Sequence, residues 1–343
     1  AGISIAGGGD INGDGFDDVL IGADGNDING SSSGIAYVVL GPFSGDVNLQ
    51  TASTARIHGT NIRDYAGCSV AFAGDVNNDG FDDVWVGAYQ QDSGGTDAGS
   101  AYLLHGPLTG DFYLSSDADL QLTGTSVLDY AGYAISGGGD FNGDGYADVV
   151  VGAYNADANG SGAGAAYIVT GPLEDSMPGA TNGLLSLSSA SSIYYGQQHS
   201  DFAGYDVDFV GDVNGDGLDD VLIGAYGEDS GSNGAGAVYL ILGNASGNTG
   251  LSLLLADGLY TGEGLNHFAG RSISSAGDFN GDGHQDFVIG AVGENTNSTA
   301  AGAAYVFFGD SSSSSSLYGG LSLSEAPLKF LGETGSNYAG RSV

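Results

Sequence analysis

The sequence predicts an all-β fold, a β-propeller built of four-stranded antiparallel blades, and three observations predict it. A nine-residue pattern occurs five times: DINGDGFDD at Asp10–Asp18, DVNNDGFDD at Asp75–Asp83, DFNGDGYAD at Asp140–Asp148, DVNGDGLDD at Asp212–Asp220 and DFNGDGHQD at Asp278–Asp286. Each copy runs straight into a β-rich segment ending in Gly-Ala, and a second apolar run follows after a polar loop. An aromatic-Ala-Gly signature sets the phase, at Tyr65-Ala66-Gly67, Tyr130-Ala131-Gly132, Phe202-Ala203-Gly204, Phe268-Ala269-Gly270 and Tyr338-Ala339-Gly340. With Ala1-Gly2 opening the first copy, the units run over about 1–65, 66–130, 131–202, 203–268 and 269–338, and 339–343 start a sixth. Self-similarity at such a period marks a repeat architecture, read here as one repeat domain over residues 1–343.

Within a unit the order is constant. An alternating segment rich in small residues comes first, such as CSVAFAG at 68–74, and suits the crowded innermost strand of a blade. After the nine-residue loop come VLIGA at 19–23, VWVGA at 84–88, VVVGA at 149–153, VLIGA at 221–225 and FVIGA at 287–291. The second apolar runs are GIAYVVLG, GSAYLLHG, GAAYIVTG, GAVYLILG and GAAYVFFG. Both read as middle strands buried on two faces. A weaker apolar segment, ARIHGT at 55–60 or LKFLGE at 328–333, supplies the fourth strand. Gly, Asn, Asp and Ser punctuate the strands. No segment sustains a 3.6-residue period, so almost no helix is expected. Four antiparallel strands per repeat favour propeller blades over a β-solenoid, which uses shorter turns.

The nine-residue loops carry the chemistry. Positions 1, 3, 5 and 9 hold oxygen-bearing side chains and position 6 is glycine. Hard cations such as calcium take clustered carboxylate and carbonyl oxygens, and a tight loop needs the glycine to turn. Plain Asx-rich turns do not require four oxygens at alternate positions five times over. These are not EF-hands, because position 12 is Ile21, Val86, Val151, Ile223 and Ile289 where an EF-hand has glutamate. Magnesium, which demands tight octahedral geometry and keeps its waters, fits less well. Position 8 varies (Asp17, Asp82, Ala147, Asp219, Gln285) and reads as solvent-facing.

Composition narrows the function. The net charge is −37, and the only basic side chains are Arg56, Arg63, Arg271, Arg341 and Lys329. That argues against binding nucleic acid or an anionic membrane, where clustered Lys and Arg do the work. No apolar run approaches the ~20 residues of a membrane helix. The chain has no N-terminal Met and no signal-peptide pattern, so it reads as a mature chain or as part of a longer one. Cys68 is the single cysteine and permits no intrachain disulfide. It lies on an apolar strand and reads as buried. Metal is then the expected staple, at the millimolar calcium found outside cells.

Catalysis finds no support. His58, His105, His199, His267 and His284 occupy different phases of the repeat and belong to no catalytic motif. The sequons at Asn29, Asn159, Asn244 and Asn297 are expected by chance in so Asn- and Ser-rich a chain, and Ser311–Ser316 reads as a flexible loop. Tyr89, Tyr154 and Tyr226 open three of the polar loops and read as caps on the blade core, although loops on a rigid scaffold are also where ligands bind.

The aromatic-Ala-Gly signature, the D-x-N-x-D-G-x-x-D loop and the VGAY ending together resemble the FG-GAP repeat, as in the β-propeller head of integrin α subunits and in bacterial surface proteins. Tyr65-Ala66-Gly67 through Ala88-Tyr89 is a representative unit. The resemblance implies one calcium in the loop between the first two strands of each blade, about five in all. The ligands it implies in the first loop are Asp10, Asn12, Asp14 and Asp18 with the Phe16 carbonyl. In the second they are Asp75, Asn77, Asp79 and Asp83 with the Phe81 carbonyl, and in the third Asp140, Asn142, Asp144 and Asp148 with that of Tyr146. The fourth uses Asp212, Asn214, Asp216 and Asp220 with Leu218, and the fifth Asp278, Asn280, Asp282 and Asp286 with His284.

Family propellers usually have seven blades, whereas five units are present here. Ala1–Ile5 and Ala339–Val343 are the same segment of the repeat and would compete for one place in a closed five-blade ring. Either the chain is a window on a longer array, or its last strand serves elsewhere, for instance in a neighbouring copy. The expected function is an extracellular or cell-surface, bacterial, non-enzymatic calcium-binding protein. Its role would be structural or adhesive, assembling with copies of itself into a filament or layer. The alternatives are an adhesin recognising protein or glycan through its loop face, and an accessory domain of a secreted enzyme.

Overall fold

A computed structural model describes residues 1–343 apart from 175, 176, 178, 182, 247–250 and 312–316. The reading of Ser311–Ser316 as a flexible loop thus lies, beyond Ser311, outside the described residues. The fold is all-β and propeller-like, with five sheets. Helix among the described residues is limited to single turns: Leu49–Ala52, Leu114–Asp117, Leu187–Ser189, Leu253–Leu255 and Leu323–Glu325. By contacts the chain divides into two compact parts. One comprises 1–138, 146–153 and 168–190, and the other 139–145, 154–167 and 191–343.

In the first part, one sheet orders Ile5–Gly9, Asp18–Ala23, Ile35–Val39 and Ala55–His58 as successive antiparallel neighbours. Val70–Gly74, Asp83–Ala88, Ser100–Leu104 and Leu120–Thr123 repeat that order. The middle strands of the second sheet are buried along their whole length. Their VWVGA and SAYLL runs are apolar on both faces because both faces are covered. Residues of both sheets share one core, including Ile11, Leu20, Val38, Ile57, Val84, Val86 and Leu104. Each fully buried side chain of this size contributes about 1.5–3 kcal/mol.

The second part repeats the design. Ala203–Gly211, Asp220–Ala225, Ala237–Ile241 and Gly258–Thr261 form one sheet, and Ala269–Gly277, Asp286–Ala291, Ala303–Phe307 and Leu328–Leu331 another. Tyr260, Phe287 and Phe307 cluster at their shared core, with ring centroids 4.7–5.6 Å apart. The strand order of the third unit is Ala134–Gly139, Asp148–Ala153, Ala165–Val169, Ser192–Tyr195.

Four of the five sheets carry a fifth strand that strand counting does not reveal. Gly110–Tyr113, from the next unit, pairs in parallel with Ala55–His58. Leu184–Ser186 does the same with Leu120–Thr123, Leu251–Ser252 with Ser192–Tyr195, and Gly319–Ser322 with Gly258–Thr261. The blades are therefore four-stranded and antiparallel with a short parallel strand added at the outer edge. That strand covers backbone groups that an open edge would leave unpaired.

The aromatic-Ala-Gly signature joins one unit to the next. Tyr65 takes a left-handed φ of 54° and Gly67 one of 80°. Tyr65 and Ala66 donate their N–H groups to Ser32 and Ser33 in the loop of the preceding unit. The approach is close: a Cβ on Gly22 would stand 2.0 Å from the Gly67 carbonyl oxygen, so only glycine fits next to the strand's last residue, Ala23. A hydroxyl then bridges successive first strands. Val70 N–H donates to Ser4 Oγ at 3.1 Å and Ile135 N–H to Ser69 Oγ at 3.1 Å. Asp206 takes this place in the fourth unit, accepting from Ile273 N–H at 2.9 Å. The last segment docks in the same way on its own fifth sheet, with Ala339 bridged to Gly302 and Val343 N–H on Ser272 Oγ at 3.0 Å.

Candidate metal centres

Each nine-residue loop links the first strand of a sheet to the second, and its geometry follows from its residue types. In the first loop the Asp10 carboxylate accepts from Asp14 N–H at 3.0 Å and from Gly15 N–H at 2.7 Å. Asn12 Oδ1 accepts from Asp14 N–H at 2.9 Å, and Asp14 Oδ1 from Phe16 N–H at 3.0 Å. Short Asx side chains fold back on the backbone two residues on. The same bonds recur at Asp75, Asn77 and Asp79, at Asp212, Asn214 and Asp216, and at Asp278, Asn280 and Asp282. In the third loop Asp140 accepts from Gly143, Asp144 and Gly145. The Asn amide donates to the position-5 carboxylate at 2.7–3.0 Å in all five. Position 6 is left-handed throughout, with φ of 85–96° at Gly15, Gly80, Gly145, Gly217 and Gly283. Position 4 is left-handed too, which explains Gly or Asn78 there.

Position 9 differs from the rest. Asp18, Asp83, Asp148, Asp220 and Asp286 have no exposed surface, whereas Asp14, Asp79, Asp144, Asp216 and Asp282 are open to solvent. One oxygen of the buried carboxylate accepts from the N–H of the glycine closing the third strand, at Gly41, Gly106, Gly171, Gly243 and Gly309, with distances of 2.7–2.8 Å. The other accepts from the N–H of loop position 2, at Ile11, Val76, Val213 and Phe279. Position 9 therefore ties the loop to two other points of its sheet.

Burying that carboxylate disfavours its charge. Desolvation raises Asp18, pushes Asp83 up to about 6 and pushes Asp220 up to about 8, against backbone hydrogen bonds that pull each down. Asp18 and Asp220 form no ion pair among the described residues. Asp282, fully exposed, moves the other way, chiefly through the hydrogen bond from His284 N–H.

The loops thus bring positions 1, 3 and 5 together on one short turn above a buried carboxylate at position 9. Among the described residues no three His, Cys, Asp or Glu side chains already converge as a metal-holding group. The carboxylate oxygens are turned onto backbone N–H groups. The donors are all hard oxygens, and a buried anion without a counter-charge is the environment a divalent cation suits. The residues fit calcium: Asp10, Asn12, Asp14, Asp18 and the Phe16 carbonyl, and their counterparts in the other loops.

Position 8 is exposed at Asp17, as read from sequence, but Asp82 and Asp219 correct that reading. Asp82 and Asp219 are half-buried, and each accepts from the first residue of the preceding loop, Asp10 N–H at 2.7 Å and Asp140 N–H at 2.8 Å. The backbone returns the bond, from Asp82 N–H to the Asp10 carbonyl and from Asp219 N–H to that of Asp140, and Gln285 N–H likewise reaches Asp212. The backbone bond is thus made with either Asp or Gln at this position. The sequon asparagines also have a structural use. Asn29, Asn159 and Asn297 each donate their amide to a glycine carbonyl, Gly59, Gly196 and Gly332, at 2.8–3.0 Å. Cys68 is half-buried just ahead of its strand. Its thiol points at the Gly132 carbonyl 3.3 Å away, and burial pushes it up to about 12.

The sequence has counterparts among known proteins. The FG-GAP repeat model matches residues 1–39, 67–104, 131–169, 203–241 and 269–307, more than half of the chain, and the chain belongs to that family. It is similar to integrin alpha-PS2 of Drosophila melanogaster, 33% identical over 157 residues, covering 43% of this chain and 11% of that protein. It is also similar to integrin alpha-E of Mus musculus, 36% identical over 148 residues, covering 42% and 12%. With integrin alpha pat-2 of Caenorhabditis elegans it shares 29% identity over 234 residues, covering 64% and 17%. These matches span a small fraction of each relative. No helix among the described residues is long and apolar enough to cross a membrane.

Proposed function

We propose that this chain is an extracellular, calcium-binding, non-catalytic propeller protein with a structural or adhesive role at a cell surface. One observation carries the calcium reading: a solvent-open turn of hard oxygens, set over a wholly buried carboxylate, recurs in register in the sheets. Binding five cations would offset ten of the 37 net negative charges. It would also place a counter-charge beside each buried aspartate. The similarity to integrin α chains supports adhesion. The test is calorimetric titration of calcium into chelator-treated protein, with magnesium as comparison. Uptake of several calcium ions per chain, with magnesium much weaker, supports the reading. No uptake at millimolar calcium by folded protein refutes it.

A further inference from the structure

In three units the tyrosine after the second strand fills a niche between successive aromatic-Ala-Gly segments. Tyr89 stacks on Tyr65 at 5.1 Å and meets Tyr130 and Tyr133 edge-on at 5.7 and 5.5 Å. Tyr154 packs against Phe202 and Tyr205. Tyr226 stacks on Phe202 at 5.1 Å and reaches Phe268 at 6.3 Å. In the fifth unit the residue in this place is Val292. Where three other units hold a phenol ring and the first holds Asp24, a cavity of about 500 Å³ lies among Phe268, Tyr338, Arg271, Arg341 and Val292.

The charge of this cavity sets it apart. Two of the five cationic side chains of a −37 chain line it. Neither Arg271 nor Arg341 forms an ion pair among the described residues. Arg271 is held in place, its guanidinium 5.6 and 5.7 Å from the ring centroids of Tyr205 and Tyr226. Asn266, Asn295 and Thr299 also line it, with Asn295 Oδ1 accepting from Ala300 N–H at 2.7 Å. Tyr338 is 44% exposed, so the cavity opens to solvent.

We propose that this cavity binds a ring-bearing carboxylate, an acidic sugar of the hexuronate class. The niche is shaped for a six-membered ring, because it is where other units seat one. Guanidinium groups pair with carboxylates through parallel hydrogen bonds, and the Asn and Thr groups suit the hydroxyls of a sugar. The volume falls within the ~300–1,000 Å³ of small-molecule sites. The proposal deepens the adhesive reading and rests on it, by giving the ligand a chemical class. It is independent of the calcium loops. Loop five enters the start of strand Asp286–Ala291 whereas the cavity lies past its end, roughly 20 Å away along six residues.

The test titrates methyl glucuronide and methyl glucoside into the intact chain at millimolar calcium, read by saturation-transfer NMR and calorimetry. Calcium uptake on the same samples reports the loops separately. Saturable glucuronide binding, at least tenfold tighter than glucoside, is expected. Val292→Tyr, which restores the ring found in other units, should abolish it, and Arg341→Gln, at an exposed residue, should weaken it at least tenfold. Equal affinity for the two sugars overturns the proposal, as does undiminished binding by both variants or no saturable binding by calcium-loaded protein. Binding of an acidic peptide at this cavity in place of the sugar also overturns it.

Discussion

Replacing Asp220 by asparagine should change stability in opposite directions with and without calcium. Asp220 is wholly buried, accepts from Val213 N–H at 3.0 Å and Gly243 N–H at 2.8 Å, and is pushed up to about 8 by burial. A free aspartate titrates near 4. A carboxyl whose folded value is raised stabilises the fold below its unfolded value and loses that contribution as pH rises through the folded value. Metal-free protein should therefore lose stability between about pH 4 and pH 8; near pH 7 the buried carboxyl is still mostly protonated, and holding that proton costs roughly 4 kcal/mol. Asparagine needs no proton to stay neutral but can accept only one of the two N–H bonds, and the N–H left over costs about 1–3 kcal/mol. In chelator the variant should match or exceed wild type. In calcium it loses a cation ligand, and a site worth about 2.7 kcal/mol at a hundredfold excess over Kd is forfeited. The calcium-induced rise in Tm should shrink by about 4 °C. Scanning calorimetry of both proteins, in calcium and in chelator from pH 5 to 8, reads this directly. An equal loss of Tm in both conditions would mean that Asp220 acts only through its hydrogen bonds, and the cation argument fails.

Asp206 gives a second pH effect, away from the metal loops. Burial pushes it up to about 7, against the hydrogen bond from Ile273, so its contribution is lost as pH rises from about 4 through 7. Asp206→Ser, which copies Ser4, Ser69 and Ser272, should keep the strand bridge and raise stability by about 1–2 kcal/mol at pH 8, checked by denaturant melts; a variant less stable at pH 8 contradicts this. Gly22→Ala drives a methyl into the Gly67 carbonyl and should cost about 3 kcal/mol or more, measured the same way; a loss under 1 kcal/mol would mean the units separate easily there. Cys68, held at about 12, should react with iodoacetamide at pH 8 only after unfolding, as mass spectrometry would show; rapid labelling of native protein would refute the burial argument.

The repeat, its strand order and the burial of its middle strands were legible because each rests on local pattern. VWVGA and SAYLL are apolar at every position, which only a strand covered on both faces tolerates. The position-1, 3, 5 and 6 geometry of the nine-residue loops was equally local, since Asx turns and a left-handed glycine close within six residues. Three things were not legible. The added parallel strand Gly110–Tyr113 has no strong β pattern and forms because Ala55–His58 presents it an open edge. Asp82 looked solvent-facing because its partner, Asp10, lies 72 residues away. Val292 stands where three units have Tyr89, Tyr154 and Tyr226, and only the tertiary structure gathers Phe268, Tyr338 and two arginines around a cavity there.

What the sequence by itself determined was the unit: its period, its four strands, its loop of oxygens and its excess of negative charge. These depend on residue type and short spacing, which a chain carries whatever its surroundings. What the tertiary structure decided was how units meet: the Gly22–Gly67 contact, the Asp10–Asp82 clasp, the burial that raises Asp220 and the two arginines gathered at one niche. Each depends on which groups exclude water from one another across some 65 residues of chain, and desolvation is a property of the neighbours, not of the residue.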